Sequence, residues 1–165
     1  MSDNLTLYLS SSHLLLKAMS TNYQLYDINT QINRVQSQVT ELIKTQEGIS
    51  GSVEVVELLT ELVRLNKKKE RISSQVNSSL VESILKLLEM IDNLLLSTKE
   101  DSTELRICQQ HLQSIIEFAR SCQMLDFSSL NVEIYRIVNL CRQKQNPYWD
   151  NMANSLLKLS NLSES

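Results

Sequence analysis

Residues 18–42 read AMSTNYQLYDINTQINRVQSQVTEL, and from Leu25 onward their apolar residues recur at steps of three and four. This spacing places the apolar side chains on one side of a helix, while mostly polar residues occupy the other sides. A stripe with a mean step near 3.5 residues stays on one side only if the helix supercoils with a partner helix. The stripe consists of Leu25, Ile28, Ile32, Val35, Val39 and Leu42.

Similar apolar stripes follow in residues 55–94, 105–122 and 127–141. The 165 residues include only two glycines and one proline, whereas an average domain contains about 12% of the two together. All-β and α/β folds need many turns built from those residues. We therefore predict an all-α fold, an elongated helical bundle of long antiparallel helices with coiled-coil-like heptad stripes.

The chain length predicts a single helical-bundle domain over residues 1–165. Residues 1–19 are apolar and rich in serine, and they are expected to form a short helix or a frayed N-terminal segment. Residues 53–96 contain neither Gly nor Pro, which favours one long helix over two helices broken at a serine pair. Residues 160–165 are expected to be a frayed tail.

Residues that typically end or begin a helix are few along the chain. Gly48 and Gly51 are the only glycines, and they predict the end of the first long helix. Asp126 is a candidate cap for a later helix. Asn146 and Pro147 predict the start of a short last helix, because proline suits the first helical position and asparagine caps it.

Charge and cysteine content exclude several classes of function. The formal net charge is −3 and the isoelectric point is near 5.4, which argues against nucleic-acid binding. No stretch reaches the roughly 18 apolar residues of a membrane span. The three cysteines form an odd, sparse set that is typical of reduced thiols. These features predict an intracellular protein, cytoplasmic or nuclear, with no nucleic acid and no membrane span.

One arrangement suggests metal or nucleophile chemistry. Cys108 and His111 are spaced so that both face one side of a helix, and together they could touch one ion. However, the cysteines lie on apolar stripes, where a free cysteine behaves as a small buried hydrophobe. The sequence carries no catalytic or cofactor signature. We therefore predict a non-enzymatic protein with no cofactor, no metal site and no small-molecule substrate.

Other features have two interpretations each. The basic cluster Arg64–Arg71 is either a solvated helix face or a contact for an acidic partner, and the solvated face is favoured. Trp149, the only tryptophan, is either an anchor for the last helix or an interface hot spot. The triplets Leu14–Leu16 and Leu94–Leu96 indicate either burial from two sides or an exposed patch.

Residues 87–96, LLEMIDNLLL, followed by residues 112–122 resemble the last two helices of BAG domains. BAG domains are three-helix bundles that bind the Hsp70 ATPase domain and accelerate nucleotide release. The resemblance rests on heptad spacing and Asp92, and it covers less than half of the chain. It implies, as an alternative function, a nucleotide-exchange cochaperone of Hsp70.

The first functional hypothesis is a protein–protein interaction module: a helical subunit, adaptor or scaffold of an intracellular assembly. It acts by helix–helix packing against another protein chain, in a hetero- or homo-oligomer. The expected partner-binding residues are those of the first stripe together with the tryptophan, namely Leu25, Ile28, Ile32, Val35, Val39, Leu42 and Trp149.

Overall fold

The computed structural model describes residues 2–45, 53–97, 102–122 and 125–163. Within these ranges the chain is helical and contains no strand, which confirms the all-α prediction. A single 3₁₀ turn at Ser128–Leu130 precedes the fourth of five α-helices. The helices are α1 (Ser2–Thr45), α2 (Val53–Leu96), α3 (Ser102–Ser121), α4 (Asn131–Gln143) and α5 (Pro147–Ser163).

The first two helices each contain 44 residues. The prediction of one continuous helix over residues 53–96 is confirmed. Residues 2–19 differ from the expected short or frayed segment, because they form the first part of α1. Neither Gly nor Pro interrupts α1, and its serines are tolerated because tertiary packing overrides their weak helix propensity. The expected stop at Gly48 and Gly51 lies outside the described residues.

The last helix begins close to the expected position, but the prediction of Asp126 as a helix cap is wrong, since α4 begins at Asn131 after the N-cap residue Leu130 and without a side-chain cap. Asp126 lies before the 3₁₀ turn, and its Oδ1 accepts hydrogen bonds from the backbone N–H and the hydroxyl of Ser128. Asn146 accepts a 2.8 Å hydrogen bond at Oδ1 from the backbone N–H of Tyr148, so it caps α5 as predicted. The expected frayed tail is helical as far as Ser163. Its first residue, Ser160, is buried and donates a hydrogen bond to Asn131 Oδ1, which explains why the helix continues.

Contacts divide the chain into two compact units. The hairpin unit is Ser20–Gln75, and the bundle unit combines Met1–Met19 with Val76–Ser165. Compact units defined by contacts are not by themselves independent domains, so a single domain over residues 1–165 stays a prediction.

The hairpin unit contains the second part of α1 and the first part of α2, joined by residues 46–52. Both helical segments bury an apolar face within this unit. The buried residues are Leu25, Ile28, Ile32 and Val35 from α1 and Val55, Leu65 and Ile72 from α2.

The bundle unit contains the large apolar core. In it, α5 packs against both α3 and α4, and residues from the first part of α1 and the second part of α2 join the same core cluster. Its fully buried side chains include Leu80, Ile84, Leu87, Ile91, Leu112, Ile115, Phe127, Ile134, Ile137, Met152, Leu156 and Leu159. Leucine and isoleucine at helical spacing dominate this list, as a core made only of helices requires.

Candidate functional site

The predicted partner-binding stripe on α1 lies within the hairpin unit. Its first four members, Leu25 to Val35, are buried inside the chain itself. Val39 and Leu42, nearer the end of α1, are half-buried. The chain therefore covers most of this stripe with its own side chains, and a role of the stripe in binding another protein stays a prediction.

Leu42 also borders an open groove of about 490 Å³ in the hairpin unit. Leucine side chains and three carboxylates line the groove, so its surface is both apolar and acidic. The lining residues are Gln38, Glu41, Leu42, Thr45, Glu54, Glu57 and Leu58.

Trp149 lies near the start of α5, where it is half-buried and packs against the core of the bundle unit. Its neighbour Tyr148 is exposed. The indole thus has an intramolecular contact that fits an anchor, while a contact with a partner protein stays a prediction.

A second apolar face of α1 is exposed in the bundle unit. Leu5, Leu9, Leu16 and Met19 are between 45% and 62% exposed, and their steps of four, seven and three residues follow a heptad pattern. Half-buried Ser12 occupies the heptad position between Leu9 and Leu16. We call the four apolar residues the α1 stripe.

The α1 stripe is distinct from the face by which α1 joins the core. Ser11, Leu15 and Ala18 are buried, and they lie between about a quarter and half a turn round the helix from Leu9 and Leu16. The triplet Leu14–Leu16 includes a residue from the buried face and one from the exposed face of α1, since Leu15 is 6% exposed and Leu16 is 62% exposed. The heptad spacing of the α1 stripe was visible in the sequence, but the alternation of Leu5, Leu7 and Leu9 obscured it.

The surroundings of the α1 stripe carry little charge. Lys17 is the one formally charged residue between Asn4 and Tyr26, counting histidine as neutral. The positions flanking the stripe are small or uncharged, as at Thr6 and Ser20. Burial of this face therefore requires little desolvation of charge on α1 itself.

A buried polar cluster joins three helices of the bundle unit. Ser11 Oγ on α1 lies 2.7 Å from Nε2 of His111 on α3 and donates a 2.7 Å hydrogen bond to the main-chain oxygen of Ser83 on α2. Ser83 Oγ in turn donates a 2.7 Å hydrogen bond to the main-chain oxygen of Ser11. The ring of Tyr8 meets the imidazole edge-on, with ring centroids 5.3 Å apart.

Three groups lie within hydrogen-bond distance of the Ser11 hydroxyl: the main-chain oxygen of Ser83, Ser83 Oγ at 2.9 Å and His111 Nε2 at 2.7 Å. The direction of the bond between Ser11 and His111 therefore depends on the tautomer of the imidazole. Burial lowers the pKa of His111, because it penalises the charged form.

Ser11 and Ser83 are completely buried. In this geometry the hydrogen bonds of the cluster connect α1, α2 and α3 across the core of the bundle unit.

The cysteines are buried or half-buried thiols, and none of the three forms a disulfide. Burial raises the pKa of Cys108 and of Cys141 to about 12, and that of Cys122 to about 11. The thiolate is the reactive and metal-binding form, so these values keep the sulfur atoms protonated at neutral pH. Within the described parts of the chain, no three His, Cys, Asp or Glu side chains come together to hold a metal ion.

Two charged features from the sequence are engaged in ion pairs. Asp92, on which the BAG resemblance partly rests, lies with its Oδ2 3.3 Å from Arg136 of α4. In the basic cluster, Arg64 pairs with Glu61 one turn earlier on α2. The BAG-like cochaperone stays a prediction, because these contacts do not test binding to Hsp70.

Comparison of the chain with protein-family models, with characterised proteins and with solved structures finds no match in any of the three. The search for spans finds that none of the described helices is both long and apolar enough to cross a membrane. The fold and the exposed stripe define an all-α helical protein with an apolar helical face open to solvent.

Proposed function

We propose that this chain is a non-enzymatic protein–protein interaction module, a helical subunit or adaptor of an intracellular assembly. The single observation that carries the proposal is the α1 stripe, four large apolar side chains at heptad spacing that are about half exposed. The occupant we propose is an amphipathic helix of another protein, with apolar residues at the same spacing.

The chemistry of the stripe favours a helical partner. Heptad positions on one face of a straight helix form a narrow, ridged surface that matches a second helix better than an irregular loop. Fully burying one exposed leucine contributes about 1.5–3 kcal/mol, so four half-exposed side chains contribute on the order of 3–6 kcal/mol gross. The entropy lost on association offsets part of this gain, so the proposed contact is of moderate affinity.

The state of the cysteines supports the intracellular part of the proposal. Cys108, Cys122 and Cys141 are unpaired, and intracellular proteins keep their thiols reduced. A buried thiol also contributes to packing without a disulfide.

Site-specific photo-crosslinking in cells tests the proposal. A photoreactive residue replaces Leu9 in one variant and Val132, an equally apolar and more exposed residue of α4, in the control. We expect the Leu9 variant to form a covalent adduct with one defined protein, crosslinked within a helix of that protein. The Leu16→Asp substitution should abolish this adduct. Equal adduct patterns at Leu9 and Val132, or an adduct unaffected by Leu16→Asp, would overturn the proposal.

A further inference from the structure

We propose that the outer face of α2 between Val53 and Arg71 is a self-association surface, on which a second copy of this chain binds in antiparallel orientation. This surface lies in the hairpin unit, and it is separate from the α1 stripe of the bundle unit. The inference therefore goes beyond the proposed function in both its site and its occupant.

An exposed apolar stripe forms the centre of the surface. Val53, Val56 and Val63 are between 54% and 71% exposed, and Leu59 beside them is 45% exposed. The steps of three and seven between the valines fit a heptad in which Thr60 occupies the intermediate position. These four apolar residues of α2 are thus available for contact with another helix.

The same helix buries a different face within its own unit. Val55 and Leu65 are buried; Val55 lies about a quarter of a turn round α2 from Val56 and Val63, and Leu65 lies about half a turn from them. Packing of α2 inside the hairpin unit therefore leaves the valine stripe uncovered.

The charges along α2 identify the occupant. Residues 54–61 contain three glutamates and no basic residue, whereas residues 64–71 contain five basic residues and one glutamate. Parallel pairing of two copies in register would place like charges together. Antiparallel pairing places the acidic segment of each copy against the basic segment of the other, so the chain is complementary to itself.

A two-fold axis between Thr60 and Val63 gives this pairing its register. It places Val56 against the aliphatic part of Lys67 of the second copy, and it places Thr60 against Val63 of the second copy. Two-fold symmetry repeats each contact, so one favourable arrangement contributes twice.

The same axis places Glu57 near Arg64 of the second copy. Glu57 and Arg64 flank the valine stripe on the same side, at equivalent heptad positions seven residues apart. Arg64 is held in the single chain only by an exposed intrahelical pair with Glu61, and exposed pairs of this kind are weak. The guanidinium can therefore exchange to Glu57 of the second copy at little cost.

Three valines and a leucine form a small apolar contact, so charge pairing must contribute a large share of the affinity. The dimer should therefore be weak and should dissociate as salt screens the charges. Analytical ultracentrifugation over a concentration series measures this directly. We expect the intact chain to dimerise at about 50 mM salt and to weaken at least about tenfold at about 500 mM salt.

Charge reversal then tests the register. Glu57→Lys and Arg64→Glu should each weaken dimerisation about tenfold, and the double variant E57K/R64E should restore it to within about threefold of the original. Glu82→Lys is the matched control, since it makes the same charge reversal at an exposed position of α2 outside this surface and should leave the dimerisation constant unchanged. Circular dichroism confirms that each variant keeps its helical content.

Several results would overturn the proposal. A chain that stays monomeric at the highest concentration and low salt has no such surface. A dimer that survives Glu57→Lys forms elsewhere, and a double variant that does not recover shows that these two residues do not face each other.

Discussion

Ser11 Oγ on α1 and His111 Nε2 on α3 lie 2.7 Å apart in the interior of the bundle unit. The contact connects residues 100 positions apart in the chain, and both side chains are buried. An imidazole in such a place is a titratable group without access to bulk water, so the stability of the protein should depend on its protonation.

Stability should fall as the pH is lowered from 7.5 to 5.5. Burial depresses the pKa of His111 in the folded state, so the unfolded chain binds a proton first, near pH 6.5. The contribution of neutral His111 to the free energy of unfolding is therefore complete above that pH. Below that pH the contribution decreases by no more than about 1.4 kcal/mol per pH unit. Urea unfolding at a series of pH values measures the slope.

His111→Gln and His13→Gln are the variants for this measurement. Replacement of His111 should flatten the pH dependence between 5.5 and 7.5, since the group that titrates is gone. His13 is exposed on α1, so its replacement is the matched control for the loss of a histidine outside the core. A slope that persists in the His111 variant would assign the pH dependence to another group.

Ser83→Ala should reduce the free energy of unfolding by about 1–3 kcal/mol. The substitution removes the hydroxyl that donates to the main-chain oxygen of Ser11 at a completely buried position. Ser78→Ala, at an exposed position of the same helix, should change stability by less than about 0.5 kcal/mol. Equal effects of the two substitutions in urea unfolding would show that the buried cluster does not stabilise the bundle.

Asn77→Ala should destabilise the bundle unit by about 1–2 kcal/mol. Asn77 Oδ1 accepts a hydrogen bond from the backbone N–H of Asp126, and Asn77 Nδ2 donates one to its carbonyl, both at 2.8 Å. This pair of bonds attaches the segment before α4 to α2. Asn139→Ala, at an exposed position of α4, is the control, and its thermal unfolding temperature should stay clearly above that of Asn77→Ala. Coincident unfolding curves would contradict the prediction.

Thiol alkylation at pH 8 should be slow in the folded protein and fast in urea. Cys122 is half-buried with a pKa raised to about 11, so its thiolate fraction is roughly 100-fold below that of an ordinary thiol. Cys108 and Cys141 are completely buried and should react later still. Mass spectrometry of partly labelled protein gives the order, and early modification of Cys108 would contradict it.

The sequence was sufficient to predict the helices whose apolar residues keep one period. α2 could be predicted as one helix, because Val76, Leu80, Ile84 and Leu87 recur without Gly or Pro between them. The start of α5 followed from Asn146 and Pro147, whose backbone preferences are local. Local signals of this kind do not depend on what the helix packs against.

The candidate sites were harder to predict, because they depend on which face each helix buries. α1 carries one apolar stripe through Leu25 and Ile28 and another through Leu9 and Leu16, and periodicity alone does not say which stripe the chain covers. The sequence did not indicate that Ser11 and Ser83 are buried, since serine is common throughout this chain. A buried serine is distinguished from an exposed one only by its tertiary contacts.

Leu15→Ala and Leu16→Ala should differ sharply in their effect on stability, although the residues are adjacent on α1. Leu15 is 6% exposed and belongs to the core, so its truncation should cost about 2–5 kcal/mol through lost burial and a cavity. Leu16 is 62% exposed, so its truncation should change the free energy of unfolding by less than about 0.5 kcal/mol. Urea unfolding of both variants measures the difference. Similar losses at both positions would mean that α1 buries a broader face than the structure shows, and they would leave the α1 stripe no free surface for a partner.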